Sequence, residues 1–175
     1  MIRAFLDFLF PMRCLSCMEI NYSHYLFCDI CTSTIELIDR RGRCWKCFHE
    51  KRFGRCQWCI MKKANLFIST MSLFEHGAPI CRLCSNSEMH AKIIASFFVV
   101  QFIKSRWPFP KGIYAHPSLK QAGYYLARFL NISQSSKTYQ PGANILCIAN
   151  YHYEIDIPVE LISSRLYLLT FSTDV

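Results

Sequence analysis

The content of apolar residues changes near residue 63 of the chain. Residues 1–63 hold few large apolar side chains, too few to sustain a hydrophobic core without help. After Lys63, apolar segments of strand or helix length follow one another and are separated by polar loops. The pattern therefore predicts two domains, residues 1–63 and residues 64–175.

The second region predicts alternating strands and helices. The predicted strands are 66–74 (or a hairpin arm), 112–116, 143–150 and 165–171, and the predicted helices are 88–103 and 118–132. The helix 118–132 is amphipathic, with Ser118 as its expected cap. Its apolar face consists of Leu119, Ala122, Leu126, Phe129 and Leu130. This alternation predicts a small α/β domain with a mostly parallel sheet, which would bind ligands beyond the carboxyl ends of its strands.

Neither the N-terminus nor the longest apolar run predicts a membrane protein. The run IIASFFVVQFI, 93–103, has eleven residues, whereas a membrane-spanning helix needs about 20. The N-terminal MIRAFLDFLFPMRC leads into a cysteine pair without a small-residue cleavage site, so it is a poor signal peptide. We therefore expect a cytoplasmic protein without stable membrane insertion, whose thiols are kept reduced.

Four Cys-x-x-Cys pairs lie between residues 14 and 59. The paired residues are Cys14 and Cys17, Cys28 and Cys31, Cys44 and Cys47, and Cys56 and Cys59. Two such pairs complete a tetrahedral shell of four thiolates around one zinc ion and leave no open position for catalysis. We predict two structural zinc ions in two zinc ribbons in series, each formed by consecutive pairs through a short hairpin. A cross-braced arrangement, in which the first pair joins the third and the second joins the fourth, uses the same residues and stays open.

The three remaining cysteines have other environments. Cys147 lies in the apolar run ILCIA and is expected in the core. Cys81 and Cys84 lie one turn apart on a predicted helix. With His76 and His90 they could bind a third metal ion, although helical cysteines at this spacing are more often simply packed.

The positive charge is confined to one segment. Residues 40–63 contain nine basic residues and one acidic residue, Glu50, whereas the rest of the chain has eleven of each sign, so the formal net charge of +8 belongs to this segment. Aromatic residues are interleaved with the cations, a mixture that suits single-stranded DNA. The predicted phosphate contacts are Arg40, Arg41, Arg43, Lys46, Lys51, Arg52 and Arg55, and the predicted stacking residues are Trp45, Phe53 and Trp58. The alternative is that the charges solvate the surface and offset the anionic zinc site while the aromatics pack inside the ribbon.

A known family has the same order of motifs. An N-terminal Phe10-Pro11 followed by CLSC, CDIC, CWKC and CQWC and then a small α/β domain resembles the ComF/GntX family of competence-related proteins. The resemblance implies a double zinc ribbon joined to a phosphoribosyltransferase-like domain, and an association with the uptake of transforming DNA. It is specific over residues 10–60 and weaker beyond them.

The chain departs from this family at the expected ligand site. The family's Asp-Asp pair falls on Ala149 and Asn150, and no Thr-Thr-Gly or other glycine-containing phosphate cradle follows, only the bulky Tyr151, His152 and Tyr153. The family's Arg-Gly-Phe-Asn-Gln-Ala segment survives at most as Gln121-Ala122. The lysine that the family has after the start of its first core helix is replaced by Cys84. We therefore expect a degenerate phosphoribosyltransferase-like fold without transferase activity. Glu154 and Asp156 could supply acidic groups, but exposed loop carboxylates are the simpler interpretation.

Three functions follow as hypotheses. The first is a ComF-like protein whose ribbons bind single-stranded DNA and hand it to DNA-import or recombination proteins. The second is a phosphoribosyltransferase with a remodelled phosphoribosyl pyrophosphate loop. The third is a zinc-ribbon adaptor that grips a protein partner.

Overall fold

A computed structural model gives the fold of this chain. It describes residue 6 and residues 10–21, 25–38, 41–49, 51, 56, 59, 66–132, 140–150 and 156–172. The described helices are α1 (Asp29–Ser33), α2 (Ala78–Ser85), α3 (Ala91–Ser105) and α4 (Lys120–Phe129). The described strands are β1 (Phe67–Phe74), β2 (Gly112–Ala115), β3 (Asn144–Ala149) and β4 (Arg165–Ser172). Single 3-10 turns cover Pro117–Leu119 and Val159–Leu161.

The four strands form one parallel sheet in the order β1-β4-β3-β2. All four predicted strands are therefore confirmed, and the mixed α/β class with a parallel sheet is correct. The segment 66–74 is a strand of this sheet, and its parallel partner is β4. Because the strands are parallel, their carboxyl ends meet at one edge of the sheet.

The two faces of the sheet are buried by different parts of the chain. One face packs against α2, α3 and α4 in a core that includes Leu146 and Phe98. The other face, which includes Ile145 and Cys147, is covered by the segment around Leu161. Burial on both faces explains why β3 is apolar at successive positions instead of alternating. The expectation that Cys147 lies in the core is confirmed, since it is fully buried.

The helix α4 differs from the prediction at two residues. Ser118 does not cap it: Ser118 lies inside the preceding 3-10 turn, where its backbone N–H donates to Nδ1 of His116, and the residue before α4 is Leu119. Phe129 is exposed and not buried, because α4 ends there and its last turn extends past the core. Leu119, Ala122 and Leu126 are buried as expected.

The cysteine-rich segment packs directly on the α/β core. Leu15 and Phe48, each beside a metal-ligand candidate, are buried in the same core cluster as Phe74 and Leu83. Leu37 forms an antiparallel bridge with Phe74, so this segment also pairs with the outer edge of β1. Among the described residues, no helix is long and apolar enough to cross a bilayer.

Candidate metal centres

The first pair of each predicted unit forms the same turn. In the first metal unit (residues 10–38), the Cys14 N–H donates to the carbonyl of Glu19 at 2.9 Å and the Met18 N–H donates to the carbonyl of Cys14 at 3.0 Å. Met18 adopts the left-handed conformation, with φ of 63°. Backbone N–H groups in such a tight turn point towards the thiolates, which lets two sulphurs of one short loop bind one metal ion.

The second metal unit (the described residues among 41–59) repeats this geometry. The Cys44 N–H donates to the carbonyl of His49 at 2.9 Å and the Phe48 N–H donates to the carbonyl of Cys44 at 2.8 Å. Phe48, at the position of the motif that corresponds to Met18, has φ of 64°. The two units are therefore a structural repeat at the level of the turn, although the side chains that follow the cysteines differ.

The second pair of the first unit lies at the start of a helix. Cys28 is the N-cap of α1, and its carbonyl accepts from the N–H of Thr32 at 2.8 Å. Cys31 lies within α1 and is buried. The first unit thus combines a turn with the start of a short helix; the hairpin predicted between Cys17 and Cys28 lies partly outside the described residues.

The eight sulphurs form two groups of four. Cys14, Cys17, Cys28 and Cys31 make one group, Cys44, Cys47, Cys56 and Cys59 make the other, and within each group all sulphurs lie within 4.8 Å of one another. This is the sequential pairing; the cross-braced alternative is not adopted. Four thiolates at the usual zinc distance of about 2.3 Å have sulphur–sulphur edges of about 3.8 Å. The sulphurs of Cys17 and Cys28 are 3.8 Å apart, those of Cys44 and Cys59 3.7 Å, and those of Cys47 and Cys56 3.4 Å. Both groups are therefore positioned to bind a metal ion, and their geometry fits zinc.

The backbone of each turn favours one thiolate in particular. Burial acts to raise the pKa of Cys14, but N–H groups of the surrounding backbone outweigh it and lower that pKa to about 6. The equivalent Cys44 behaves in the same way, with a pKa lowered to about 7 against the effect of burial. The backbone N–H of Glu19 acts to lower the pKa of Cys17, but desolvation and the neighbouring thiols raise it to about 12, and burial raises the pKa of Cys47. In each folded unit, therefore, one cysteine favours the thiolate form, and a metal ion must displace the protons of the other ligand thiols to bind.

The fifth cysteine pair does not form a third group of this kind. Cys81 and Cys84 lie on α2 as predicted, and Cys81 is next to His76, with 3.4 Å between the sulphur and Nε2. His90, by contrast, is buried, its Nε2 has no hydrogen-bond partner, and burial lowers its pKa. Within the described part of the chain, the two groups named above are the groups of three or more ligand side chains close enough to share a metal ion.

The predicted DNA-contact residues are described only in part. Trp45 is 70% exposed, Arg41 and Lys51 are exposed, and Lys46 is partly exposed. These residues surround the first turn of the second unit. Arg40, Arg52, Phe53, Arg55 and Trp58 lie outside the described residues.

Arg43 has a different position from the one expected for a phosphate contact. Its guanidinium forms an ion pair with Glu75, donates to the carbonyl of Phe48 at 3.3 Å and lies 5.7 Å from the centre of the Phe48 ring. Only 13% of the Arg43 side chain is exposed. These contacts place Arg43 at the junction between the second unit and the α/β domain.

Sequence reasoning missed the residues that attach the metal units. The Ser16 hydroxyl, between two cysteine ligands, donates to the carbonyl of Pro79 at 3.0 Å and accepts from Nε of Arg82 at 3.4 Å. The Ser69 hydroxyl donates to the carbonyl of Trp45 at 2.7 Å. These contacts join residues that are 24 to 66 positions apart, so the local sequence could not predict them.

The carboxyl ends of β2 and β3 carry a polar cluster. Asn150 is buried and donates from Nδ2 to the Ser118 hydroxyl at 3.1 Å. That hydroxyl is 2.8 Å from Nδ1 of His116. A cavity of about 390 Å³ lies beside Ser118 and is lined otherwise by residues 85–89, among them Glu88 and no lysine or arginine. The predicted positions Tyr151, His152, Tyr153 and Glu154 lie outside the described residues, and Asp156 is exposed.

Comparison with protein-family models, with curated proteins and with solved structures finds no match to this chain.

Proposed function

We propose that this chain is a ComF-like protein in which two zinc ions hold the cysteine units and the second unit binds single-stranded DNA. Two groups of four cysteines followed by a parallel α/β domain support the relationship to that family. The role of the metal is structural, because four thiolates leave no coordination site for a substrate. DNA uptake supplies the functional context, with DNA-import or recombination proteins as the partners that receive the strand.

The observation that carries the DNA proposal is the exposure of Trp45 among cations. Trp45 is 70% exposed, although an indole ring in a small metal unit would be expected to pack. Lys46 follows it directly, and Arg41 and Lys51 lie on either side of the same turn. An exposed ring flanked by cations is the arrangement that stacks on a base while the cations contact phosphates.

The two units differ sharply in charge, and this difference supports the second as the DNA-binding unit. Residues 10–38 contain one basic residue, Arg13, and three acidic residues, whereas residues 40–63 carry a formal +8. A zinc ion with four thiolates adds −2 to each unit. The second unit stays strongly positive after this correction, and the first becomes more negative.

The test is binding of a labelled single-stranded oligonucleotide to the zinc-loaded chain, followed by fluorescence anisotropy. Affinity should fall steeply between about 50 and about 200 mM salt. Trp45→Ala should weaken binding by about 1–3 kcal/mol, the usual value of one stacked base. Lys46→Gln should reduce the slope of the salt dependence by about 1.

Matched controls separate a DNA surface from a general effect of mutation. Tyr25→Ala removes an equally exposed aromatic ring from the first unit, and Lys92→Gln removes an exposed cation from α3; both should leave binding unchanged. Absence of binding at low salt, or binding that does not respond to salt, would rule out the proposed surface.

The first unit favours a second candidate, a protein adaptor. Its exposed apolar side chains include Phe10, Tyr25, Ile30 and Leu37, and Ile30 is 80% exposed. Such residues on an acidic unit suit a protein partner better than nucleic acid. This candidate predicts a partner that stays bound after nuclease treatment and is lost on Ile30→Asp, while Trp45→Ala has no effect.

A further inference from the structure

The Cys81-x-x-Cys84 pair lies outside both metal units and has an asymmetric environment. Both residues are on α2, the first helix after β1. Cys81 is partly exposed, whereas Cys84 is 6% exposed and belongs to the main core cluster. One thiol of the pair is thus open to solvent and the other is shielded from it.

Cys81 is also distinguished from every other cysteine of the chain, all eleven of which are described. Eight sulphurs belong to the two metal groups. Cys147 is fully buried in β3, and burial raises the pKa of its thiol. When both metal ions are bound, Cys81 is therefore the thiol that is both outside the metal groups and accessible to a reagent.

His76 provides a group that can accept the proton of Cys81. Its Nε2 lies 3.4 Å from the Cys81 sulphur. A thiolate is the reactive form of cysteine, and an adjacent imidazole favours it by taking the proton.

The local geometry also suits a bond between the two cysteines. Residues i and i+3 of a helix lie on the same face with Cα atoms about 5 Å apart, within the usual range for a disulfide.

We propose that Cys81 and Cys84 form a dithiol site for thiol–disulfide exchange. The Cys81 thiol transfers its proton to His76, and the thiolate attacks one sulphur of an external disulfide R–S–S–R. A mixed disulfide forms and one thiolate leaves, which takes up a proton as R–SH. Cys84, as the thiolate after loss of its proton, then attacks the Cys81 sulphur, which closes the Cys81–Cys84 disulfide and releases R–S⁻, and this takes up a proton as the second R–SH. The net reaction oxidises two protein thiols and reduces one external disulfide, with two electrons transferred.

The experiment treats the zinc-loaded full chain with oxidised glutathione and maps every cysteine by mass spectrometry. We expect the peptide that holds Cys81 and Cys84 to lose two hydrogen atoms while the metal-ligand cysteines stay unmodified. Cys84→Ala should accumulate the mixed disulfide at Cys81 because the resolving thiol is missing. Cys81→Ser should show complete loss of modification at residue 84, since Cys84 is buried.

Two further variants make the outcome decisive. His76→Gln should slow formation of the mixed disulfide by about a hundredfold, the lower end of the usual effect of removing a positioned base, because the amide cannot take up the Cys81 proton. Cys147→Ser, which removes a fully buried thiol, should change neither the rate nor the product. The proposal is overturned if zinc is released and the metal-ligand cysteines oxidise before Cys81, or if the mixed disulfide at Cys81 never proceeds to the Cys81–Cys84 disulfide.

Discussion

Removal of the metal ions should destabilise the α/β domain and not only the cysteine units. The units contribute Leu15 and Phe48 to the core cluster that covers one face of the sheet. If chelation disorders the units, both side chains leave this cluster. Burial of one Leu or Phe side chain stabilises a fold by about 1.5–3 kcal/mol, so the two together are worth about 3–6 kcal/mol. This is a large part of the roughly 5–15 kcal/mol by which a domain is stable.

Hydrogen exchange in the central strand β3 measures this coupling. We expect chelation to speed exchange across Asn144–Ala149 by about a hundredfold, because a loss of about 3 kcal/mol is roughly two factors of ten in the opening equilibrium. Leu15→Ala and Phe48→Ala should each have part of this effect in the presence of zinc. Ile30→Ala, which truncates an exposed side chain of the same region, should have none.

One result would refute this reasoning. If the amides of residues 14–21 exchange freely after chelation while those of β3 change by less than about threefold, the units are an independent domain. The contacts of Leu15 and Phe48 would then contribute little to the stability of the sheet.

Further predictions concern the metal sites and the packing of α4. Zinc displaces the protons of its four cysteine ligands, and most of these thiols carry a proton at neutral pH in the disordered metal-free units, so calorimetry in buffers of different ionisation enthalpy should detect proton release on zinc binding. Zinc affinity should therefore fall as the pH is lowered, and an affinity that does not change between pH 8 and pH 6 would contradict this. Gly123→Ala should lower the free energy of unfolding by about 1–3 kcal/mol in a urea titration, because the new Cβ would lie 2.6 Å from the Cβ of Ala115. Gly77→Ala, where a Cβ meets only ordinary contacts, is the control, and an equal effect of both substitutions would remove the steric explanation.

The strands and the metal ligands could be predicted because their signals are local. A run such as ILCIA is apolar at consecutive positions, which is typical of a strand buried on both faces, and β3 is one. The eight ligand candidates follow from Cys-x-x-Cys spacing, which brings two sulphurs into one turn whatever the rest of the fold does.

The features that sequence reasoning missed depend on contacts between distant residues. Arg43 is a residue type that commonly contacts phosphate, but it forms an ion pair with Glu75, 32 positions later, at the junction with β1. Ser118 has the side chain of a helix cap, but Pro117 and His116 place it in a 3-10 turn instead. Cys28 and Cys31 have the same spacing as Cys14 and Cys17, yet they begin a helix and not a turn. In each case the local signal allowed two structures and the tertiary environment selected one.

The content of metal in the purified chain tests the central claim most directly. Elemental analysis of protein purified without chelator should give two zinc ions per chain, and alanine substitution of one ligand in each unit, Cys14→Ala or Cys44→Ala, should remove one ion each. A chain that contains no metal and yet retains protected amides throughout residues 10–49 would contradict the account.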